Sequence, residues 1–201
     1  MPATDDEIRE KYLERAIREL NQFTRDLQAC PGCPRGNLMP VLGSGHPQAD
    51  ILLLKYAPAP AEIEEGVAFY GRAGTALMKS LRRLDIDPLA VYGTLCVKCP
   101  VADTSLAAPE CVGRLVEEIA IVAPKIVVVM GPEALATLNE LALPLASVVQ
   151  EGPGEIQSLT PSVDALYVPD IDESLDEEDA KRAFWTALRV LGEWWADFPP
   201  Y

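Results

Sequence analysis

Apolar positions in this chain follow two rhythms. Four short runs are apolar almost throughout: Ala49 to Lys55 (A-D-I-L-L-L-K), Val91 to Val97, Lys125 to Met130 (K-I-V-V-V-M) and Ala165 to Val168. Runs of this length read as strands buried on both faces. Between them, apolar residues recur at helical spacing. Ile8, Tyr12, Ala16, Ile17, Leu20 and Leu27 predict a helix from about 4 to 28, opened by the capping-box pair Thr4 and Glu7. Helices are also predicted over 73–84, from the first-turn proline Pro109 to about 123, over 132–142, and from Asp176 to Ala196. The A-P-A-P stretch after Tyr56 reads as a Pro-rich loop, and residues 29–36 as a turn-rich loop.

Strands alternating with helices predict an α/β fold, a three-layer α/β/α sandwich around a central four-stranded parallel sheet. Sites in such sheets lie beyond the carboxyl ends of the strands. The loops after Lys55, Val97, Gly131 and Val168 should therefore surround one crevice. There is no internal repeat or linker, so the expectation is a single domain over residues 1–201.

The remaining bulk properties narrow the function classes. No segment approaches the roughly 20 apolar residues of a membrane span, and the longest candidate, Ile119 to Met130, is broken by Pro124 and Lys125. The opening M-P-A-T-D-D-E lacks a basic start and an apolar core of a secretion signal. The expected setting is a reducing cytoplasm without membrane contact, where clustered cysteines favour metal over disulfide. A net charge of -14 argues against generic duplex binding, because phosphate neutralisation needs basic surface. Weak or no duplex DNA binding is expected, with an unidentified protein as partner.

The chemistry-bearing residues are cysteines. Cys30 and Cys33 form a C-x-x-C, while Cys99 and Cys111 follow far downstream. Such a set is assembled by folding rather than as a local finger. Cysteine thiolates hold iron–sulfur clusters or zinc, and four suffice for either. Cys111, in a helix first turn, is favoured as a thiolate by free N–H groups. Cys96, inside a strand, reads as an ordinary buried thiol.

Several motifs resemble the family 4 uracil-DNA glycosylases. Residues 57–74 read A-P-A-P-A-E-I-E-E-G-V-A-F-Y-G-R-A-G, similar to the family's G-E-A-P-G followed by G-x-P-F-V-G-R-A-G. V-Y-G-T-L-C-V-K-C-P resembles T-N-V-V-K-C-R-P-P, and K-I-V-V-V-M-G resembles the family's third strand. The placement of Cys30, Cys33, Cys99 and Cys111 also matches. The resemblance runs from about Cys30 to Asp170 and implies a [4Fe-4S] cluster on those four thiolates, with zinc the lesser alternative.

The departures fall on the catalytic positions. Where the family carries a water-positioning glutamate, this chain has Tyr56, and Lys55 and Ala59 replace its flanking glycines. Leu95 stands where an asparagine reads the base, and Val168 where a histidine donates to the departing base. The single histidine, His46, precedes the first predicted strand and reads as a surface loop residue. Base excision needs a donor for the developing oxyanion, a group that positions water, and contacts to the base edge. Losing one oxyanion donor alone costs about 2.7–4 kcal/mol. All three groups are replaced together here.

Phe69 occupies the family's base-stacking position and reads equally as a π-platform or as core. Tyr56, Ala57, Pro58, Arg72 and Lys98 complete the expected ligand-facing set, with Arg72 and Lys98 as cations able to face a phosphate. Residues 170–179 read D-I-D-E-S-L-D-E-E-D, seven acids in ten, an acidic loop hostile to a phosphate backbone. Phe184, Leu188, Leu191 and Trp195 read as core. The leading reading is a superfamily member that keeps its iron–sulfur centre, has lost uracil excision, and serves as a structural or interaction module linked to DNA repair. The alternatives are an active glycosylase of altered base specificity using Tyr56 or Lys55, and a redox or small-ligand-binding protein.

Overall fold

A computed structural model describes residues 5–107 and 109–198. Its elements in chain order are α1 (Asp5–Ala29), β1 (Ser44–Gly45), β2 (Ile51–Lys55), α2 (Pro60–Glu65), α3 (Arg72–Arg83), β3 (Val91–Leu95), α4 (Pro109–Val122), β4 (Ile126–Met130), α5 (Pro132–Glu140), β5 (Ile156–Thr160), β6 (Val163–Val168) and α6 (Glu178–Asp197). Thr4 of the expected capping box lies outside the described residues.

The four expected strands form the centre of the sheet as parallel neighbours, β3-β2-β4-β6. The sheet is larger than expected. β1 adds antiparallel to β3 at one edge and β5 adds antiparallel to β6 at the other, giving six strands in the order β1-β3-β2-β4-β6-β5. Both additions carry weak strand signals. β1 is Ser-Gly, and β5 is Ile-Gln-Ser-Leu-Thr with only Leu159 buried. Edge strands need little apolar surface, so their pattern is faint.

Alternation along each strand divides the core into two layers. Leu52 and Leu54 of β2, with Val127 and Val129 of β4, pack against Leu115, Ile119 and Val122 of α4 and Leu135 and Leu138 of α5. Ile51, Leu53, Ile126 and Val128 face the other way, onto Leu77 and Leu81 of α3 and Phe184, Leu188 and Leu191 of α6. α1 packs against α4. This is the expected three-layer sandwich.

Helix ends follow local chemistry. Pro109 and Pro132 open α4 and α5, where the missing N–H costs nothing. α6 starts at Glu178, two residues later than expected, because Glu173–Leu175 form a separate 3-10 turn. α2 is an addition within the expected Pro-rich loop: Pro60 opens it, and Gly66, at φ 72°, closes it in the left-handed region. Among the described residues, no helix is long and apolar enough to cross a membrane.

Candidate functional site

Two sites emerge at the carboxyl side of the sheet. The first is sulfur. The thiols of Cys33, Cys99 and Cys111 all lie within 4.8 Å of one another and are buried. Three elements deliver them: the loop after α1, the turn after β3, and the first turn of α4. Cys30 follows α1 directly, is half-exposed, and stands outside that trio. Arg35 braces this loop by donating to the carbonyls of Gln28 at 2.6 Å and Leu38 at 2.9 Å.

The trio contains an acidic sulfur. A hydrogen bond from the Cys99 thiol lowers the Cys111 pKa to about 5, against burial and helped by the backbone N–H groups of Lys98 and Cys99. Cys99, bonded to that sulfur and buried, moves the opposite way. A buried sulfur with converging donors is a ready cation ligand, and this donor set suits an iron–sulfur cluster or zinc. Cys96 lies apart in the core, its thiol pushed up to about 12 by burial, as an inert structural thiol should be.

The second is the buried row of strand ends that the expected crevice would border. Register aligns the last residues of the four parallel strands in one row: Leu95 beside Lys55, Lys55 beside Met130, and Met130 beside Val168. Leu95 is fully buried and packs with Val41, Ala68, Ile63 and Phe69. Val168 is fully buried with Ile171 and Phe184 nearby in the α6 layer. Tyr56 is half-buried against the α4–α5 layer. Ala57 and Pro58 are half-buried in the turn that leads into α2.

Lys55 occupies the middle of the row. Its Nζ lies 2.8 Å from Glu62 Oε2 and 2.5 Å from Asp172 Oδ2. Burial alone disfavours its ammonium, but hydrogen bonds and charges from Asp172 and Glu62 outweigh that and raise its pKa. A lysine held this way has no free lone pair for attack on a sugar carbon. The expectation of Lys55 as an available amine is thus corrected: it is a buried cation locked between carboxylates.

Glu62 also accepts the backbone N–H groups of Ala59 and Phe69. It therefore ties the start of α2, the Lys55 ammonium and Phe69 together. Phe69 sits at φ 58°, a left-handed conformation that costs energy for a bulky residue. Its ring lies over Gly93 of β3, where any Cβ would collide with it, and its carbonyl lies over Gly74. The ring is half-buried, 5.8 Å from Lys55 Nζ, and lines a cavity of about 300 Å³ with Leu53, Leu77 and Met78.

The remaining expected residues are placed differently from one another. Arg72 is exposed and paired with Asp176 at 2.6 Å. Lys98 does not face a phosphate. It is fully buried, 2.7 Å from Glu118 Oε2, and donates to Thr94 Oγ1 and the Leu95 carbonyl. Glu118 also accepts from the hydroxyls of Tyr92 at 2.8 Å and Thr94 at 2.7 Å. His46 is half-buried in the turn after β1, its Nδ1 accepting from the Gln48 N–H. The acidic loop is ordered by its own acids: Asp170 accepts the N–H groups of Asp172 and Glu173, while Asp172 and Asp176 reach back to Lys55 and Arg72.

Glu62 and Glu118 are not among the residues the sequence singles out, and Asp172 enters there only as one acid of the loop 170–179. Glu118 had a readable signal. It sits on the apolar stripe of α4 between Leu115 and Ile119, where a charge needs a buried partner.

The uracil DNA glycosylase superfamily model matches residues 42–189, a stretch that includes the whole crevice row. The chain belongs to the uracil DNA glycosylase superfamily. It is similar to the type-4 uracil-DNA glycosylase of Pyrobaculum aerophilum, at 28% identity over 131 residues, 61% of this chain and 66% of that protein. The type-4 uracil-DNA glycosylase of Sulfurisphaera tokodaii is 32% identical over 124 residues, 56% of this chain and 54% of that protein. That of Archaeoglobus fulgidus is 27% identical over 123 residues, 57% and 61% respectively. The matched stretches thus span about half to two thirds of these relatives' own length. The type-4-like character read from Phe69 to Gly74 and Lys98 to Pro100 agrees with this assignment.

Proposed function

We propose that this superfamily member has lost uracil excision by the family's usual groups, keeps a [4Fe-4S] centre, and acts as a structural or interaction module linked to DNA repair. One observation carries the reading. The row at the strand ends is Leu95, Lys55, Met130 and Val168, and its only polar group is consumed by Glu62 and Asp172. A uracil placed there would exchange water for apolar walls, losing about 1–3 kcal/mol for each unpaired polar group. No free imidazole, amide or carboxylate in the row offers to stabilise a leaving base.

The cluster part rests on the converged thiols of Cys33, Cys99 and Cys111, with Cys30, three residues before Cys33, as the fourth ligand. When bound, the cluster would staple the loop after α1 to β3 and α4. The test is twofold. Anaerobically purified protein should be brown and carry about four iron and four sulfide per chain. It should leave uracil, hypoxanthine and xanthine in single- and double-stranded oligonucleotides uncut after alkali. Iron-free protein overturns the cluster, and release of any base overturns the loss of excision.

A further inference from the structure

Among the described residues, cations gather at a cavity along α1, where Lys11, Arg15 and Arg18 share the wall with Glu14, and at a second cavity walled by Phe184 and Trp185. The second measures about 270 Å³ and lies between α3, α6 and the loop after β6. Its walls are apolar, with Ile171 and Phe184 buried and Trp185 half-buried. Its rim carries Lys79 and Arg83 from α3 and Lys181 from α6. This concentration occurs in a chain of net charge -14. Lys79 and Arg83 form none of the ion pairs found among the described residues, while Lys181 is shared with Glu178 at 2.9 Å. The Arg83 guanidinium stands 6.0 Å from the Trp185 ring centroid, so a cation is already presented beside an aromatic wall.

The two hydroxyls lining the cavity are engaged. Ser80 donates to the Ala76 carbonyl and Ser174 to the Asp170 carbonyl. What remains is an apolar interior under a positive rim. We infer that this cavity binds a small aromatic anion of one or two rings, its ring system against Phe184 and Trp185 and its carboxylate or sulfonate at Lys79 and Arg83. The volume lies just below the usual range of drug-sized pockets, which limits the ligand's size. A nucleotide fits less well, because the donors that could meet its base edges are the same rim cations that would hold its phosphate. The inference goes beyond the crevice reading and does not depend on it.

The test uses calorimetric titration of the full chain with naphthoate, with naphthylmethanol as the uncharged counterpart and adenosine monophosphate as the nucleotide. Naphthoate should bind saturably at one site per chain and quench Trp185 fluorescence. Naphthylmethanol should bind at least about three-fold more weakly, the size of an exposed charge contact. The pair Lys79→Glu and Arg83→Glu should weaken naphthoate about ten-fold or more, since two such contacts become repulsions. Lys79→Gln with Arg83→Gln gives a milder loss in the same direction and guards against misfolding of the reversed variant. Lys11→Glu with Arg18→Glu on α1 should change nothing. The proposal is overturned by absent saturable binding, by equal affinity for naphthylmethanol, by tighter binding of adenosine monophosphate, or by indifference to charge reversal.

Discussion

Lys55 Nζ and Asp172 Oδ2 are 117 positions apart in sequence and 2.5 Å apart in space. The bond fastens the loop after β6 to the end of the central strand, and Glu62 holds the same ammonium from the other side. The two partners differ in burial. Glu62 is fully buried, whereas the Asp172 side chain is 38% exposed. Lys55→Met therefore strands a buried carboxylate and should cost about 3–5 kcal/mol. Asp172→Asn leaves Lys55 paired with Glu62 and should cost about 1 kcal/mol. Urea unfolding of both variants checks the order; equal losses would contradict it.

The same lysine sets a pH dependence. Its pKa is raised on folding, through hydrogen bonds and charges that exceed the burial penalty. A raised lysine stabilises the fold fully below its unfolded pKa of about 10.4, and that contribution fades as pH rises through the folded value. The stability advantage of wild type over Lys55→Met should be larger near about pH 8 than near about pH 11. Urea midpoints at the two pH values measure it.

Lys98 and Glu118 make a second buried pair, 2.7 Å apart, that joins the turn after β3 to α4, two of the cysteine-bearing segments. Glu118→Leu leaves the Lys98 ammonium and the Tyr92 and Thr94 hydroxyls without their acceptor. A loss of about 3–5 kcal/mol is expected. Adding Lys98→Met removes the orphaned charge, so the double variant should be more stable than Glu118→Leu alone. A double variant that is weaker than either single would show that the pair is not the coupled unit described.

How much of this was legible before folding depends on the range of the interaction. Ile51 to Leu54 and Val127 to Val129 announce themselves as strands because burial on both faces needs unbroken apolar side chains. The cysteines could be grouped because thiols are rare and chemically specific. β5 could not be read, since Gln157 and Ser158 lie at an edge where solvent tolerates them. The partners of Lys55 and Lys98 could not be read either. An isolated lysine is nearly always a surface residue, and only the closure of distant segments turns these two inward. Val168, by contrast, is the last residue of a strand both in the apolar pattern and in the fold, whereas Leu95 ends β3 two residues before its apolar run ends at Val97.

The thiols should divide into two classes on substitution. Cys33→Ser, Cys99→Ser and Cys111→Ser each remove a member of the converged trio and should lower iron and sulfide per chain. Cys96→Ala should leave both unchanged, because that thiol lies in the α4–α5 layer instead. Cys30→Ser distinguishes a four-thiolate centre from a smaller one; reduced iron is the expected result. Metal analysis after anaerobic purification reads all five variants. Removing the metal from wild type should also lower its melting temperature, since binding energy at an assembled site contributes to folding.

The Phe69 platform depends on an absence of side chain beneath it. Gly93 gives its ring a bare backbone to lie on, and a Cβ added there would overlap the ring. Phe69 cannot simply slide away, because Glu62 holds its N–H and Gly74 lies against its carbonyl. Gly93→Ala should therefore behave as overpacking and cost about 1–3 kcal/mol. Phe69→Ala removes the obstacle, so the two substitutions together should cost less than the sum of their separate losses. Denaturation of the two singles and the double gives the coupling directly. Strict additivity would mean that the ring and Gly93 do not share the space described, and that Phe69 is free to turn toward the crevice.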